Sequence, residues 1–388
     1  MKFLMILAAG AADDPVPSLD GRTPLEAART SALDELARSG KTGLVRAIPG
    51  GLPPSEEVAL LSAFACDPVA HFAGEAGLAA ADAPFAVGDG LAFCHSLVTE
   101  ANGRIEDHAA GQIGPREAEQ LLDALGAALG RPGLQFHVAR GFSGVARLPQ
   151  SGWERPRCLP PEDVLGKPYA RALPEGEGSE LPRKIIALSQ EIFRDHEVNR
   201  VRADLGENPA TLLWLWGPGN PPALPSFESA HKRRAVMVAA AECARGLGRL
   251  LGMRVADVPG ATGGFRTDYA AKAGVAARLI EEFDLVALHV AAPAEAALAG
   301  DAERKAAILS DMDALIVAPL FDLAARRGDL RVMFLCTHHC SSALRTRTSR
   351  ESPVAIFGPG MDPFRRASFS EANAAGGAQH RGQIEKFH

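Results

Sequence analysis

The chain predicts an α/β protein: a mostly parallel sheet with helices on both faces, plus an inserted smaller α+β domain. Three observations carry this reading. Short apolar runs stop at glycine breaks, as in Leu212-Leu213-Trp214-Leu215-Trp216 before Gly217-Pro218-Gly219, and as in Val258-Pro259 opening into Gly260-Ala261-Thr262-Gly263. Such runs read as buried strands entering loops, and they alternate with helical stretches of ten or more residues, the pattern of a parallel sheet. Between residues 71 and 182 the texture becomes β-rich, with one clear helix and Pro- and Gly-rich connections. This predicts an insert at 71–182 within a core made of 1–70 and 183–388.

Residues 3–9 read as the first strand, turning at 10–13. Thr23-Pro24 opens a helix, with Thr as N-cap and Pro at the first helical position. Residues 32–39, with Leu33, Leu36 and Ala37 on one face, form a second amphipathic segment. A strand at 45–48 leads through a proline-rich loop to Ser55-Glu56-Glu57, which starts a helix running to Phe64. Acids in a first helical turn suit the helix dipole, and that is the plain explanation of Glu56 and Glu57. Within the insert, 90–99 is a strand, Asn102-Gly103 a turn and 115–129 a helix. The core resumes with a helix at 184–194 and the 212–216 strand. Residues 235–251 and 268–283 read as helices, 285–290 as an apolar strand, and 301–323 as one long helix. Strands at 330–335 and 354–357 follow, the last ending at Gly358-Pro359-Gly360. Parallel sheets bind ligands beyond the carboxyl ends of their strands. One crevice is therefore expected among 9–13, Gly217, 260–263, 289–295, 337–342 and Gly358.

Composition narrows the function. The 388 residues suggest roughly two domains, and 47% hydrophobic with 23% charged residues is ordinary for a globular chain. A net charge of −6 argues against general nucleic-acid binding. No apolar run reaches the ~18 residues that span a bilayer, so no membrane partner is expected. The apolar start runs directly into Asp13-Asp14 and reads as a buried strand, not a signal peptide. Six dispersed cysteines in a large chain argue against a disulfide framework and point to a reducing, cytoplasmic setting.

Many short motifs occur in a fixed order: Thr23-Pro24-Leu25-Glu26, Cys66-Asp67-Pro68, Leu165-Gly166-Lys167-Pro168, Asp195-His196 with Asn199, Trp214-Leu215-Trp216-Gly217, Gly246-Leu247-Gly248-Arg249, Lys272-Ala273 and Phe369-Ser370-Glu371. Over nearly its full length the chain resembles the archaeal-type, cofactor-independent (2,3-bisphosphoglycerate-independent) phosphoglycerate mutases of the alkaline phosphatase superfamily. The resemblance implies an alkaline-phosphatase-like core and an isomerase that moves a phosphoryl group through a serine held against two divalent metals, which stabilise attacking and leaving oxygens.

The chain departs from that pattern at the positions the resemblance makes essential. Ala9 stands for the first metal-binding Asp, Glu56 for the nucleophilic serine and Glu57 for the Asp beside it. Ala294 and Leu298 replace a ligand Asp and a ligand His, while Glu295 is kept. His338 replaces an Asp and His339 is kept; the final ligand His falls in Thr348-Ser349. Phosphate-positioning residues change as well, at Glu75, at Cys94-His95-Ser96, at Gln112 and in Phe142-Ser143-Gly144. Losing planar Arg forks weakens the case for a phosphoglycerate ligand. Arg245 keeps a positive charge where the family has Lys.

The reading that follows is a degenerate mutase-like protein, a pseudoenzyme that lacks mutase activity and acts as a binding or partner subunit. Its expected partners are a small phosphorylated or carboxylated ligand, a second copy, or an active enzyme of the same pathway. No cofactor is expected; the alternative is one Zn or Mn. A repurposed enzyme in the same crevice, or a divergent mutase, is the other reading. For it the candidates are Glu56 and Arg245 as catalytic groups, Asp13, Glu57, Glu295 and Thr262 as ligand-binding groups, and His289, His338 and His339 as residual metal ligands. Cys336-Thr337-His338-His339-Cys340 offers thiolates and imidazoles suited to zinc, against the plainer reading of buried histidine and inert thiols. Gly260-Ala261-Thr262-Gly263 lacks nucleotide-binding spacing, and His231-Lys232-Arg233-Arg234 reads as a solvated surface.

Overall fold

The computed structural model describes residues 1–149, 155–361, 363 and 368–376. Among them the strands are β1 (Lys2–Ala8), β2 (Lys41–Val45), β3 (Leu91–Ala101), β4 (Arg104–Asp107), β5 (Gln135–Val138), β6 (Ser143–Leu148), β7 (Leu212–Trp216), β8 (Ala235–Val238), β9 (Arg254–Ala256), β10 (Leu285–Val290), β11 (Leu330–Cys336), β12 (His339–Ser341), β13 (Thr346–Thr348) and β14 (Ser352–Phe357). The chain divides into two compact units, Met1–Phe72 with Ala223–His388, and Ala73–Pro222.

The first unit is a seven-stranded sheet in the order β2-β14-β11-β1-β10-β8-β9. Strands β11, β1, β10, β8 and β9 pair in parallel, whereas β14 is antiparallel to both β11 and β2. This is the mostly parallel sheet with helices that the sequence predicts. Its strands are apolar on both faces, as strands covered on both sides must be. On one face Leu4, Ile6, Val286, Leu288, Val332 and Phe334 join a core with Leu33, Ala273 and Ile308 from three helices. Alternation sends Met5, Leu7 and Met333 to the other face.

Several sequence expectations shift. Residues 235–251 divide into strand β8 and the helix Glu242–Leu250, because a run of small apolar residues fits a buried strand as well as a helix. The long helix of 301–323 is Ala302–Met312 and Ala318–Ala325 joined by a wide π turn, Asp313–Val317. Asp313, the first residue of that turn, accepts hydrogen bonds from the amides of Ala32 (3.0 Å) and Leu33 (2.7 Å). It thereby satisfies open donors at the start of the helix Ser31–Ser39, whose Thr30 supplies no side-chain cap. Because β14 is antiparallel, Gly358 lies at the amino ends of the parallel strands and is not part of a carboxyl-end crevice.

The second unit is organised by β3, which pairs with β4, β6 and β7, while β5 pairs with β6, all antiparallel. Its core packs the helices Pro115–Leu129 and Glu180–Arg194 on this sheet. The sequence boundary at 182 therefore moves to Pro222. The cause is β7: its apolar run is a buried strand as expected, but it extends the β3 sheet, with Ser96 opposite Trp214. Gly217 belongs to this unit. Trp214 is core, with its indole N–H on the Leu159 carbonyl at 2.8 Å, and Trp216 donates to Ser96 Oγ at 3.1 Å. Asp195-His196 is structural: His196 Nδ1 accepts the Val198 amide at 3.3 Å and caps the helix Glu197–Asp204.

Candidate active site

Two buried polar networks sit at the carboxyl end of the parallel sheet in the first unit. One is built on Glu56. Ser55 is extended and caps the helix Glu56–Ala63, its Oγ accepting the Val58 amide at 3.3 Å. This puts Glu56 in the first helical position, buried. His289 on β10 and His338 just past β11 approach it from strands on either side of β1. His289 Nε2 is 3.0 Å from Glu56 Oε1, and His338 Nδ1 is 2.8 Å from Oε2. Thr337 Oγ1 lies 3.3 and 3.2 Å from the two carboxylate oxygens. Burial alone would raise the Glu56 carboxyl, but the opposing His338 charge and the bonds from His289 and His338 outweigh it and hold the group well below the usual carboxylate range.

An ionised Glu56 fixes the proton on the ring nitrogen that faces it in each imidazole. The far nitrogens, His289 Nδ1 and His338 Nε2, are buried without a hydrogen-bond partner among the described residues. The carboxylate itself is engaged through both oxygens and has low proton affinity, which suits an orienting anion better than a base or a nucleophile. Lys272 lies at the same strand end, with Nζ 3.2 Å from the His289 carbonyl oxygen, and burial brings its ammonium down to about 8.

The second network is built on Asp13. Its Oδ2 pairs with Lys305 Nζ at 2.8 Å, both side chains being fully buried. Lys305 also donates to the carbonyls of Ala12 (3.1 Å) and Cys340 (2.9 Å). The Ser342 amide is 3.0 and 3.2 Å from the two Asp13 oxygens. Glu371 accepts from the Asp13 amide at 3.0 Å and from Thr23 Oγ1 at 2.8 Å, and burial raises its carboxyl. His339 Nδ1 contacts Thr348 Oγ1 at 2.9 Å, leaving Nε2 3.7 Å from Asp14 Oδ1. Burial lowers His339, keeping the imidazole neutral, the form that ligates metals.

The structure thus separates the three histidines named from the sequence. His289 and His338 serve Glu56, while His339 serves Asp13 and Asp14, because adjacent residues of an extended segment point to opposite sides. Ligand atoms of Asp13, Asp14 and His339 lie within 4.8 Å of one another, so this group can hold a metal ion. It fits the alternative of one zinc or manganese and not the expectation of no cofactor. Of the positions that the resemblance makes metal ligands, Ala9, Ala294 and Leu298 carry no side-chain donor, and His338 lies 2.8 Å from Glu56. Cys336 and Cys340 are buried thiols in no disulfide and lie outside the group.

The other candidates have these surroundings. Arg245 pairs with Asp257 at 2.8 Å. Thr262 is a turn former, accepting the Gly264 amide at 3.2 Å and donating to the Arg266 carbonyl at 2.9 Å. A side-chain carbon at Gly264 would stand 3.1 Å from Glu295 Oε2, so this turn packs on Glu295. Glu57 occupies the second helical position, half-buried. Sequence reasoning missed Lys305, and it saw Thr337 and Lys272 only as members of the Cys336–Cys340 run and the Lys272-Ala273 motif, without a role.

These features define an α/β scaffold with its polar machinery at the carboxyl ends of a parallel sheet. The family described as 2,3-bisphosphoglycerate-independent phosphoglycerate mutase matches residues 37–199. A protein of that description from Methanothrix thermoacetophila is 35% identical, covering 99% of this chain and 97% of its own length. The chain belongs to the 2,3-bisphosphoglycerate-independent phosphoglycerate mutase family. The PH0037 protein from Pyrococcus horikoshii shares the fold with a TM-score of 0.76 at 24% identity, over 97% of this chain and 92% of that one. A cofactor-independent phosphoglycerate mutase from Thermoplasma acidophilum does so at 0.54 and 23% identity, over 97% and 95%.

Proposed function

We propose that this chain is a mutase-family protein that has given up phosphoryl transfer through residue 56 and serves as a binding or partner subunit. The observation that supports it is the state of Glu56: a buried carboxylate, bonded through both oxygens to His289, His338 and Thr337. A serine at this position would expose a hydroxyl to activation; Glu56 is instead held by its contacts to His289, His338 and Thr337. The ligand expected for the crevice is a small phosphorylated or carboxylated metabolite, and the expected companion is a second copy or an active enzyme of the same pathway. Dispersed cysteines that form no disulfide support a reducing, cytoplasmic setting.

A divergent mutase or remodelled enzyme holding one metal is the second reading, favoured by the Asp13, Asp14 and His339 group. One experiment separates them. Protein purified without chelator is analysed for bound metal and assayed for interconversion of 3- and 2-phosphoglycerate with Mn²⁺, Co²⁺ or Zn²⁺ present. The binding reading expects no turnover above background. Turnover that vanishes in His339→Ala, together with about one bound ion in the unsubstituted protein, would replace it with the second.

A further inference from the structure

At the opposite end of the parallel strands lies a cavity of about 180 Å³ that neither network reaches. Its floor is a patch of the sheet face turned away from the Leu4 and Ile6 core. The registers place Leu285, Phe3 and Arg331 in one cross-strand row and Met5, Met333 and Ile356 in the next. Phe227, from the helix Phe227–His231, supplies a wall. The rim is cationic. Arg233 lies over the Phe3 ring at 5.2 Å and spends one N–H on the Met1 carbonyl at 2.9 Å. Arg331, opposite Phe3, spends its Nε on the Pro359 carbonyl at 3.0 Å. His231 stacks beside Phe227 with ring centroids 4.5 Å apart. No carboxylate lines the cavity, and neither guanidinium has a carboxylate partner among the described residues.

From this we infer that the cavity is a binding site for a small hydrophobic carboxylate, with an aromatic or branched body of about benzene size resting on the sheet and its carboxylate between Arg233 and Arg331. The volume suits the body: an apolar cavity of about 150 Å³ takes up benzene. Each half-buried guanidinium spends one N–H on a backbone carbonyl, and the remaining N–H edges form the fork that carboxylates bind. Both are positioned by those carbonyls before any ligand arrives, which limits the ordering cost of binding. The basic run His231-Lys232-Arg233-Arg234 acquires a role: it delivers His231 and Arg233 to the rim.

The test is calorimetric titration of the full chain with phenylacetate, phenylacetamide and inorganic phosphate. Phenylacetate is expected to saturate and to bind at least about tenfold more tightly than the uncharged amide. Arg331→Met and Arg233→Met should erase that preference, and Met333→Trp, which fills the cavity, should abolish phenylacetate binding. Should Met333→Trp not fold, the two arginine variants decide. Equal binding of acid and amide, binding that survives Met333→Trp in a folded protein, or no saturation by about 10 mM would overturn the inference. Phosphate binding as tightly as phenylacetate would overturn it too, marking an adventitious anion site only.

Discussion

Glu56 shows how one substitution reorganises a site. Its carboxylate holds two imidazoles in place, so removing its charge leaves buried donors facing a poorer acceptor. Glu56→Gln keeps the shape but turns one end of the side chain into a donor aimed at a donor. A loss of about 1–3 kcal/mol is expected, read by denaturant unfolding. The pH dependence has a definite sign. Because the folded-state carboxyl is held below its ordinary range, its stabilisation is complete above the ordinary Glu pKa of about 4.3. It drains away as pH falls through the lowered value. The variant should therefore lose less stability on acidification than the parent. A parent curve with the same acid slope as Glu56→Gln would show that the carboxylate is not held ionised.

At the scale of elements, the second unit carries a built-in acid sensitivity on β3. His95 is fully buried, with Nε2 3.0 Å from the His137 carbonyl oxygen and Nδ1 unpartnered. Burial pushes the imidazole down to about 4. Gly144 opposes it on β6, where an added Cβ would stand 1.9 Å from the His137 carbonyl oxygen and 2.7 Å from His95 Nε2. Only glycine admits this close approach. Between pH 6.5 and about 4 the unfolded chain binds the proton that folded His95 refuses, so stability is lost as the pH drops through that window, by up to about 3 kcal/mol. His95→Phe should flatten that window; an unchanged slope would refute the assignment. Elements were legible where patterns are local: β1, the helix Pro115–Leu129 and the Ser55 start of the Glu56 helix all follow from apolar period and caps. What failed was partner choice. An apolar run declares a buried strand without naming its sheet, which is why β7 joins β3, and it carries no direction, which is why Gly358 sits at the far end.

At the scale of the molecule, the carboxyl-end rule located the machinery of the first unit, and the family resemblance identified which positions to inspect. Glu56, His289 and His338 were each readable in the sequence. Their convergence was not, since it depends on β10 and β11 flanking β1. Lys305 was hidden in an amphipathic helix whose polar residues look alike until one of them turns inward. Two charge networks consequently share one short segment, with His338 serving Glu56 and His339 lying beside Asp14. A double-mutant cycle of Glu56→Gln with Asp13→Asn should deviate from additivity by more than about 0.5 kcal/mol; simple additivity would show the networks to be independent. Because one peptide bond joins the two histidines, a backbone turn that re-aims one imidazole also turns the other, whose Cβ points to the opposite side. In the descent of this chain, changes on the Glu56 side are therefore expected to have travelled in company with changes on the Asp13 side, each tolerated only once its neighbour had adjusted.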